Sequence, residues 1–181
     1  MTTTRFATAD DGPALTVLAV AAGEPIISIP DSWDHRLGDG TGATTGLTIV
    51  AEHDAQVAAF LWADNAMRID AGMPLPWLCI NAVYTSPTAR GQGLGADLVT
   101  SAIERAADLD MTVVHGSCLP SAATWWASDR FGAWRFTVGP VDGEWNTHVS
   151  VDGKALNIGS EGNCPFWLHL GDPTPVILTA K

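Results

Sequence analysis

Val83-Tyr84-Thr85-Ser86-Pro87-Thr88-Ala89-Arg90-Gly91-Gln92-Gly93-Leu94-Gly95-Ala96 is the stretch on which the fold turns. It begins as a strand, passes through a short loop with Pro87, and enters a helix behind three glycines at alternate positions. The first amide N–H groups of a helix have no internal partner and point outward with the positive end of the macrodipole, so they suit a pyrophosphate. Glycine permits the close approach that a Cβ would block. Other phosphate motifs fit less well. No Gly-Lys-Ser/Thr follows, as a nucleoside-triphosphate loop requires, and Gly91-x-Gly93-x-Gly95 lacks the G-x-G-x-x-G dinucleotide spacing.

Working outward, Ala96 to Leu109 places Leu98, Val99, Ala102, Ile103 and Ala106 on one face, with Asp97, Glu104, Arg105 and Asp108 elsewhere, which predicts an amphipathic helix. Upstream, Leu75 to Thr85 reads as a fourth strand. Leu47 to Glu52 and Val57 to Trp62 flank His53-Asp54-Ala55-Gln56 as an antiparallel hairpin. Thr3 to Thr8 reads as the first strand, and Pro13 to Ala22 as a helix that Ala9-Asp10-Asp11-Gly12-Pro13 opens with an Asp N-cap and Pro in the first turn. The Gly/Pro-rich stretch from Gly23 to Gly46 is a long loop, with room for a short helix around Asp31 to Leu37, and loops of that length tend to carry function. Downstream come a strand at Met111 to His115, a second helix at Ser121 to Phe131 ended by Gly132, and a strand at Ala133 to Val138. A hairpin follows, from Trp145 to Val151 and Lys154 to Ile158 around Asp152-Gly153, and Phe166 to Leu170 adds a last strand. Without repeats or linkers, this order predicts an α+β or mixed-sheet fold in one domain spanning residues 1–181.

Charge and composition narrow the function. Nine Lys plus Arg against 20 Asp plus Glu give a net charge of −11, a surface that repels nucleic acid and anionic membrane. Charged residues are 16% and hydrophobic ones 46%, which suits a globular chain. No uncharged apolar run reaches the roughly 18 residues of a membrane span. The N-terminal segment has no secretory apolar region, and Cys79, Cys118 and Cys164 show no C-x-x-C pairing, so the expectation is a cytoplasmic protein with buried thiols. The histidines show no metal spacing.

Arg90-Gly91-Gln92-Gly93-Leu94-Gly95 resembles the Arg/Gln-x-x-Gly-x-Gly/Ala motif of the GNAT superfamily of acetyl-CoA-dependent N-acetyltransferases, and the element order from about Thr4 to Val138 resembles theirs too. The resemblance implies a mixed, mostly antiparallel central sheet with splayed fourth and fifth strands, helices on both faces, a core over about residues 3–138 and extra C-terminal strands over about 139–181. It implies acetyl-CoA as acyl-donor cosubstrate, with no metal. The pantetheine arm would bond the backbone of Val83, Tyr84 and Thr85, and the pyrophosphate would sit on the amides from Gly91 through Ala96 beside Arg90. The late helix of the family offers an Asn to the arm and a Tyr as general acid; this chain has Ser121 and Ser128 there. An alcohol is a poorer proton donor than a phenol of pKa about 10, so water or Tyr84 is an alternative acid.

A base for the acceptor amine is also needed. The fourth and fifth strands offer no carboxylate, and His115 is the best titratable candidate there, against a packed strand histidine as the plainer reading. Trp33, with Asp31 and Asp34 beside it, falls where the family builds its acceptor pocket, and an aromatic next to carboxylates suits a cationic amine, while helix N-capping by Asp31 and a solvated surface explain the same carboxylates equally well. Trp125 and Trp126 are not expected to share one core face. The implied activity is acetyl transfer from acetyl-CoA to a primary amine, small or peptidic, by direct attack in a ternary complex. A CoA- or amine-binding sensor or scaffold, and an acyltransferase using a longer acyl-CoA, stay open. So does pairing of residues 139–181 in a homodimer.

Overall fold

The computed structural model describes residues 2–23, 33, 36–41, 46–64, 69–70, 73–74, 76–142, 148–151, 154–157 and 161–171. In chain order its elements are β1 (Thr2–Phe6), α1 (Gly12–Ala22), β2 (Gly46–His53), β3 (Gln56–Asp64), β4 (Ile69–Asp70), β5 (Met73–Pro74), β6 (Trp77–Thr85), α2 (Leu94–Asp108), β7 (Val113–Cys118), α3 (Ala123–Trp126), β8 (Thr137–Val138), β9 (His148–Val151), β10 (Lys154–Asn157) and β11 (Cys164–His169). The chain divides into two compact units, residues 1–65 with 80–109, and residues 66–79 with 110–181.

In the first unit, β1, β2, β3 and β6 are neighbours in that order. The β1–β2 and β2–β3 pairs are antiparallel, with a register shift at Ala51/Glu52. The hairpin turns through Asp54 and Ala55, both at positive φ (51° and 61°), the backbone twist a two-residue β-turn demands. Helix α2 buries Leu98, Val99, Ala102, Ile103 and Ala106, as its periodicity predicts, and packs on β1, β2 and β3. Helix α1 packs on β3, and Leu15, Leu18, Ala19, Trp33, Val50, Phe60 and Ala82 form a buried cluster with Ala7.

Asp11 precedes α1 as expected, but its carboxylate does not cap that helix. It accepts from Thr8 N at 2.7 Å, and Arg5 reaches it with two nitrogens at 2.7 and 2.8 Å. The Arg5 hydrogen bond is the main reason its carboxyl is held down at about 2. The long loop is anchored where it is described: Arg36 N and Leu37 N donate to Trp33 O, and Thr48 Oγ1 donates to Arg36 O at 2.8 Å. Gly46 is required there, because a Cβ would come within 2.7 Å of Arg36 O.

In the second unit, β11 lies between β7 and β8, antiparallel to both. Strands β9 and β10 pair as a separate hairpin, and β4 and β5 as another. The late helix differs from expectation. It is broken into a 3-10 turn at Pro120–Ala122, the four residues of α3 and a second 3-10 turn at Asp129–Phe131. Trp126 and Phe131 stack at 5.8 Å. At i and i+5 on an unbroken helix they would diverge by about 140°, so the chain breaks to bring both into one cluster. Trp125 joins the same cluster, edge-on to Trp126 at 4.9 Å, so the two indoles share a core after all. The strand expected over Ala133 to Val138 shortens to β8.

Candidate cofactor and acceptor site

The glycine loop follows directly on the end of β6. Ser86 N donates to Ala58 O at 2.8 Å, tying the strand end to β3, and Pro87–Ala89 form one 3-10 turn. Ala89 and Leu94 are buried and pin the loop at both ends, while Arg90, Gly91, Gln92 and Gly93 are exposed. Gly91 and Gly93 lie at φ 80° and 86°, a region that L side chains rarely adopt, and Gly93 is the N-cap of α2. A Cβ at either would meet nothing within 4 Å, so the space before the loop is open. Ala96 N and Asp97 N both donate to Gly93 O, at 2.8 and 3.1 Å. That commits the Ala96 amide and leaves the outward donors to the positions before it. Arg90 folds back to donate from Nε to Thr85 O at 3.3 Å, with its guanidinium 6.0 Å from the Tyr84 ring.

Behind the strand runs a file of aromatic rings. Tyr84 packs on Phe60 at 6.2 Å, and Phe60 meets Trp33 edge-on at 5.7 Å. Trp33 is only 1% exposed, and its Nε1 has no hydrogen-bond partner among the described residues. Asp31 and Asp34, expected beside it, lie outside the described residues. Arg36 lies over Trp62 at 4.9 Å.

The sequence reading missed Asp64, the last residue of β3. Its Oδ2 accepts from Asn81 Nδ2 on β6 at 2.8 Å. Burial pushes this carboxyl above the usual Asp range, and Asn81, Trp62 and the charge of Arg36 pull it part of the way back. The strands expected as fourth and fifth, β6 and β7, carry no carboxylate, and Asp64 stands on β3 before them.

The second unit holds the other expected residues. His115 on β7 is 3% exposed and meets Trp77 edge-on at 5.8 Å, opposite Trp167 in register. Ser121 is exposed in the turn before α3. Ser128 Oγ donates to Trp125 O and accepts from Arg130 Nε, both at 2.6 Å, so its one proton is held by a backbone carbonyl. Cys118 faces Cys164 across β7 and β11, and burial with that neighbour pushes its thiol up to about 11. Among the described residues, no three His, Cys, Asp or Glu are grouped to hold a metal, and no helix is long and apolar enough to cross a membrane.

A strand running through a bare, pinned glycine turn into a helix start is a geometry that suits an anion such as a pyrophosphate. The sequence profile of the Acetyltransferase (GNAT) family matches residues 16–121, more than half of the chain, and the chain belongs to that family. Its fold is accordingly the GNAT fold, an α+β arrangement on a mixed, mostly antiparallel sheet. Among solved structures it is similar to the ribosomal-protein-alanine N-acetyltransferase of Brucella melitensis, with 20% identity, TM-score 0.63, and 92% of this chain and 97% of that one covered. It is also similar to the GNAT family N-acetyltransferase YhbS of Escherichia coli in complex with CoA, with 18% identity, TM-score 0.61, and 94% and 82% covered. A third is the diaminobutyrate acetyltransferase EctA of Paenibacillus lautus, in complex with L-2,4-diaminobutyric acid and CoA, with 16% identity, TM-score 0.58, and 96% and 99% covered. No curated protein sequence matches the chain.

Proposed function

We propose that the protein is an N-acetyltransferase that moves acetyl from acetyl-CoA to a primary amine by direct attack within a ternary complex. The observation that carries this reading is the loop at Arg90–Gly93, whose exposed backbone, open at Gly91 and Gly93, is held between buried Ala89 and Leu94. There the pyrophosphate meets amides that need no reorganisation, the helix macrodipole and the Arg90 charge. The backbone of Val83, Tyr84 and Thr85 is the run that the pantetheine arm would follow, with the Thr85 carbonyl shared with Arg90. The names of two similar structures, a diaminobutyrate acetyltransferase and a ribosomal-protein-alanine N-acetyltransferase, support an amine acceptor here. The match to residues 16–121 runs through both units, which supports one acetyltransferase domain. Attack forms the N–C bond and breaks the C–S bond, and the leaving thiolate is a modest base, since thiols titrate near about 8.5. Water or the Tyr84 phenol suffices to protonate it.

The test is thermal unfolding with and without acetyl-CoA. At about 100 times the dissociation constant, the ligand stabilises by roughly 2.7 kcal/mol, a rise in Tm of about 5 to 10 °C for a chain of this size. Release of free thiol with an amine panel then reads turnover. No shift with acetyl-CoA or with longer acyl-CoAs overturns the reading.

A further inference from the structure

Acyl transfer to an amine leaves one proton on the attacking nitrogen that must go somewhere. Where it can go is set by the direction of the cosubstrate. With the pyrophosphate on the loop after Thr85, the pantetheine arm leads back along β6, past Val83 and toward Asn81, a run of about 13 Å at the rise of a strand. Asn81 is exposed and stands on the same face of β6 as Val83 and Thr85, since side chains alternate. Its amide donates to Asp64 Oδ2 at 2.8 Å. Asp64 terminates β3, the strand beside β6. It therefore stands at the end of the run where the thioester arrives.

The surroundings of Asp64 suit an amine. Trp62 lies two residues before it on β3, carrying the Arg36 guanidinium over its ring at 4.9 Å, so this face already accommodates a cation against an aromatic. A carboxylate is acceptor-only and has lone pairs beyond the one that Asn81 uses. Burying it carries a cost that a purely structural cross-strand pair could avoid with an Asn or Thr.

Resting on the acetyltransferase reading, we propose that Asp64 is the acceptor-side carboxylate of this protein, which holds the incoming amine by a hydrogen bond and takes the proton released as the N–C bond forms. The amine nitrogen gives its lone pair to the thioester carbonyl carbon. The C–S bond breaks with its electron pair going to sulfur, and the nitrogen's proton passes to Asp64. Asp64 returns that proton to solvent, and the thiolate takes one from solvent. Asn81, which acts through Asp64, is a positioning residue. Arg36 is the charged group brought against Asp64 from the loop before β2, and it opposes any rise of the carboxyl.

The test compares wild type with Asp64→Asn and Asn81→Leu, using acetyl-CoA with spermidine, kanamycin, L-lysine and an alanine tripeptide as acceptors. Asp64→Asn keeps the shape, and its amide oxygen can still accept from Asn81. Expected is a fall in kcat/KM for the amine of about 100-fold or more, the lower range of general-base contributions. The low-pH limb set by the carboxyl disappears, acetyl-CoA affinity is unchanged, and Tm does not fall, since a half-buried charge has been removed. Asn81→Leu takes away a donor that favours the ionised form, so the low-pH limb moves to higher pH, which a merely structural pair would not produce. Retention of kcat/KM by Asp64→Asn, loss of acetyl-CoA binding in that variant, or a limb that stays in place overturns the proposal. A wild type that binds acetyl-CoA but acetylates none of the four acceptors overturns it too, whereas a wild type that binds no acetyl-CoA refutes the acetyltransferase reading itself.

Discussion

Replacing Gly93 by Ala separates what the glycine loop does for the fold from what it does for a ligand. Gly93 stands at φ 86° as the N-cap of α2, and a Cβ there meets no protein atom within 4 Å. The folded protein therefore pays only backbone strain, about 1 to 2 kcal/mol for a non-glycine residue in the left-handed region, partly offset by about 0.4 to 1 kcal/mol from a less flexible unfolded chain. A net loss of about 1 kcal/mol lowers Tm by about 2 to 4 °C in a chain of this size. A pyrophosphate seated on the loop meets the new methyl group directly. Losing one charge-assisted hydrogen bond of about 1.5 to 3 kcal/mol raises the dissociation constant for acetyl-CoA by about 10- to 150-fold. Calorimetric titration at matched protein stability reads that ratio. The control is Gly23→Ala, at φ 77° on the C-cap of α1 and with no described residue within 4 Å of an added Cβ, which carries the same strain away from the loop and leaves affinity unchanged. If Gly93→Ala loses stability but binds acetyl-CoA within about twofold of wild type, the pyrophosphate does not rest on these amides.

Asp11→Asn breaks the two-pronged bond from Arg5. Because the folded carboxyl sits at about 2, below its unfolded value, its contribution is present above pH 4 and lost as pH falls toward 2, and after allowing for the exposed Arg5 it is about 1 to 2 kcal/mol. Acid unfolding followed by circular dichroism should show that the variant is less stable at pH 7 and converges with wild type near pH 2. Ser128→Ala removes the bonds to Trp125 O and from Arg130, so it should cost about 1 kcal/mol in a melting experiment and leave kcat within about twofold, whereas a tenfold fall in kcat at constant KM would assign the thiolate's proton to Ser128. The net charge of −11 repels the anionic cosubstrate and attracts a cationic acceptor, so raising salt from about 0.01 to 0.15 M should speed acetyl-CoA association and lower kcat/KM for spermidine. Stopped-flow traces in which both move the same way would refute the electrostatic argument.

What the sequence made legible is what short-range physics determines. The glycine punctuation after β6, the buried stripe of α2 and the tight turn of the β2–β3 hairpin all follow from neighbours within a few residues, and each stands where periodicity and turn chemistry put it. The break in the late helix was hidden because it depends on Trp126 and Phe131 being drawn onto one cluster with Phe136 and Phe166, the last of which is 40 positions beyond Trp126. Asp64 was hidden for the same reason. Its partner Asn81 is 17 residues away, and nothing in either local pattern says that β3 and β6 are neighbours. The fate of the Ser128 proton turned on a hydroxyl bonding back three residues, a choice that depends on where the helix stops.

An acidic chain can still present an anion site because the two effects act over different ranges. The repulsion from −11 is spread over the whole surface and is screened beyond about 8 Å at physiological salt, whereas amides and a helix end act at contact distance. Contact interactions win only if the donors are already in place, since ordering a loop costs about 1 to 2 kcal/mol for each residue fixed. Here that cost is met during folding: burial of Ala89 and Leu94 and the bond from Ser86 N to Ala58 O fix the loop before any ligand arrives. The glycines then serve rigidity as much as access, because only they can hold positive φ between two buried anchors without strain. The same economy is absent around Asp64, where burial works against the ionised form and Asn81, Trp62 and the charge of Arg36 offset it only in part.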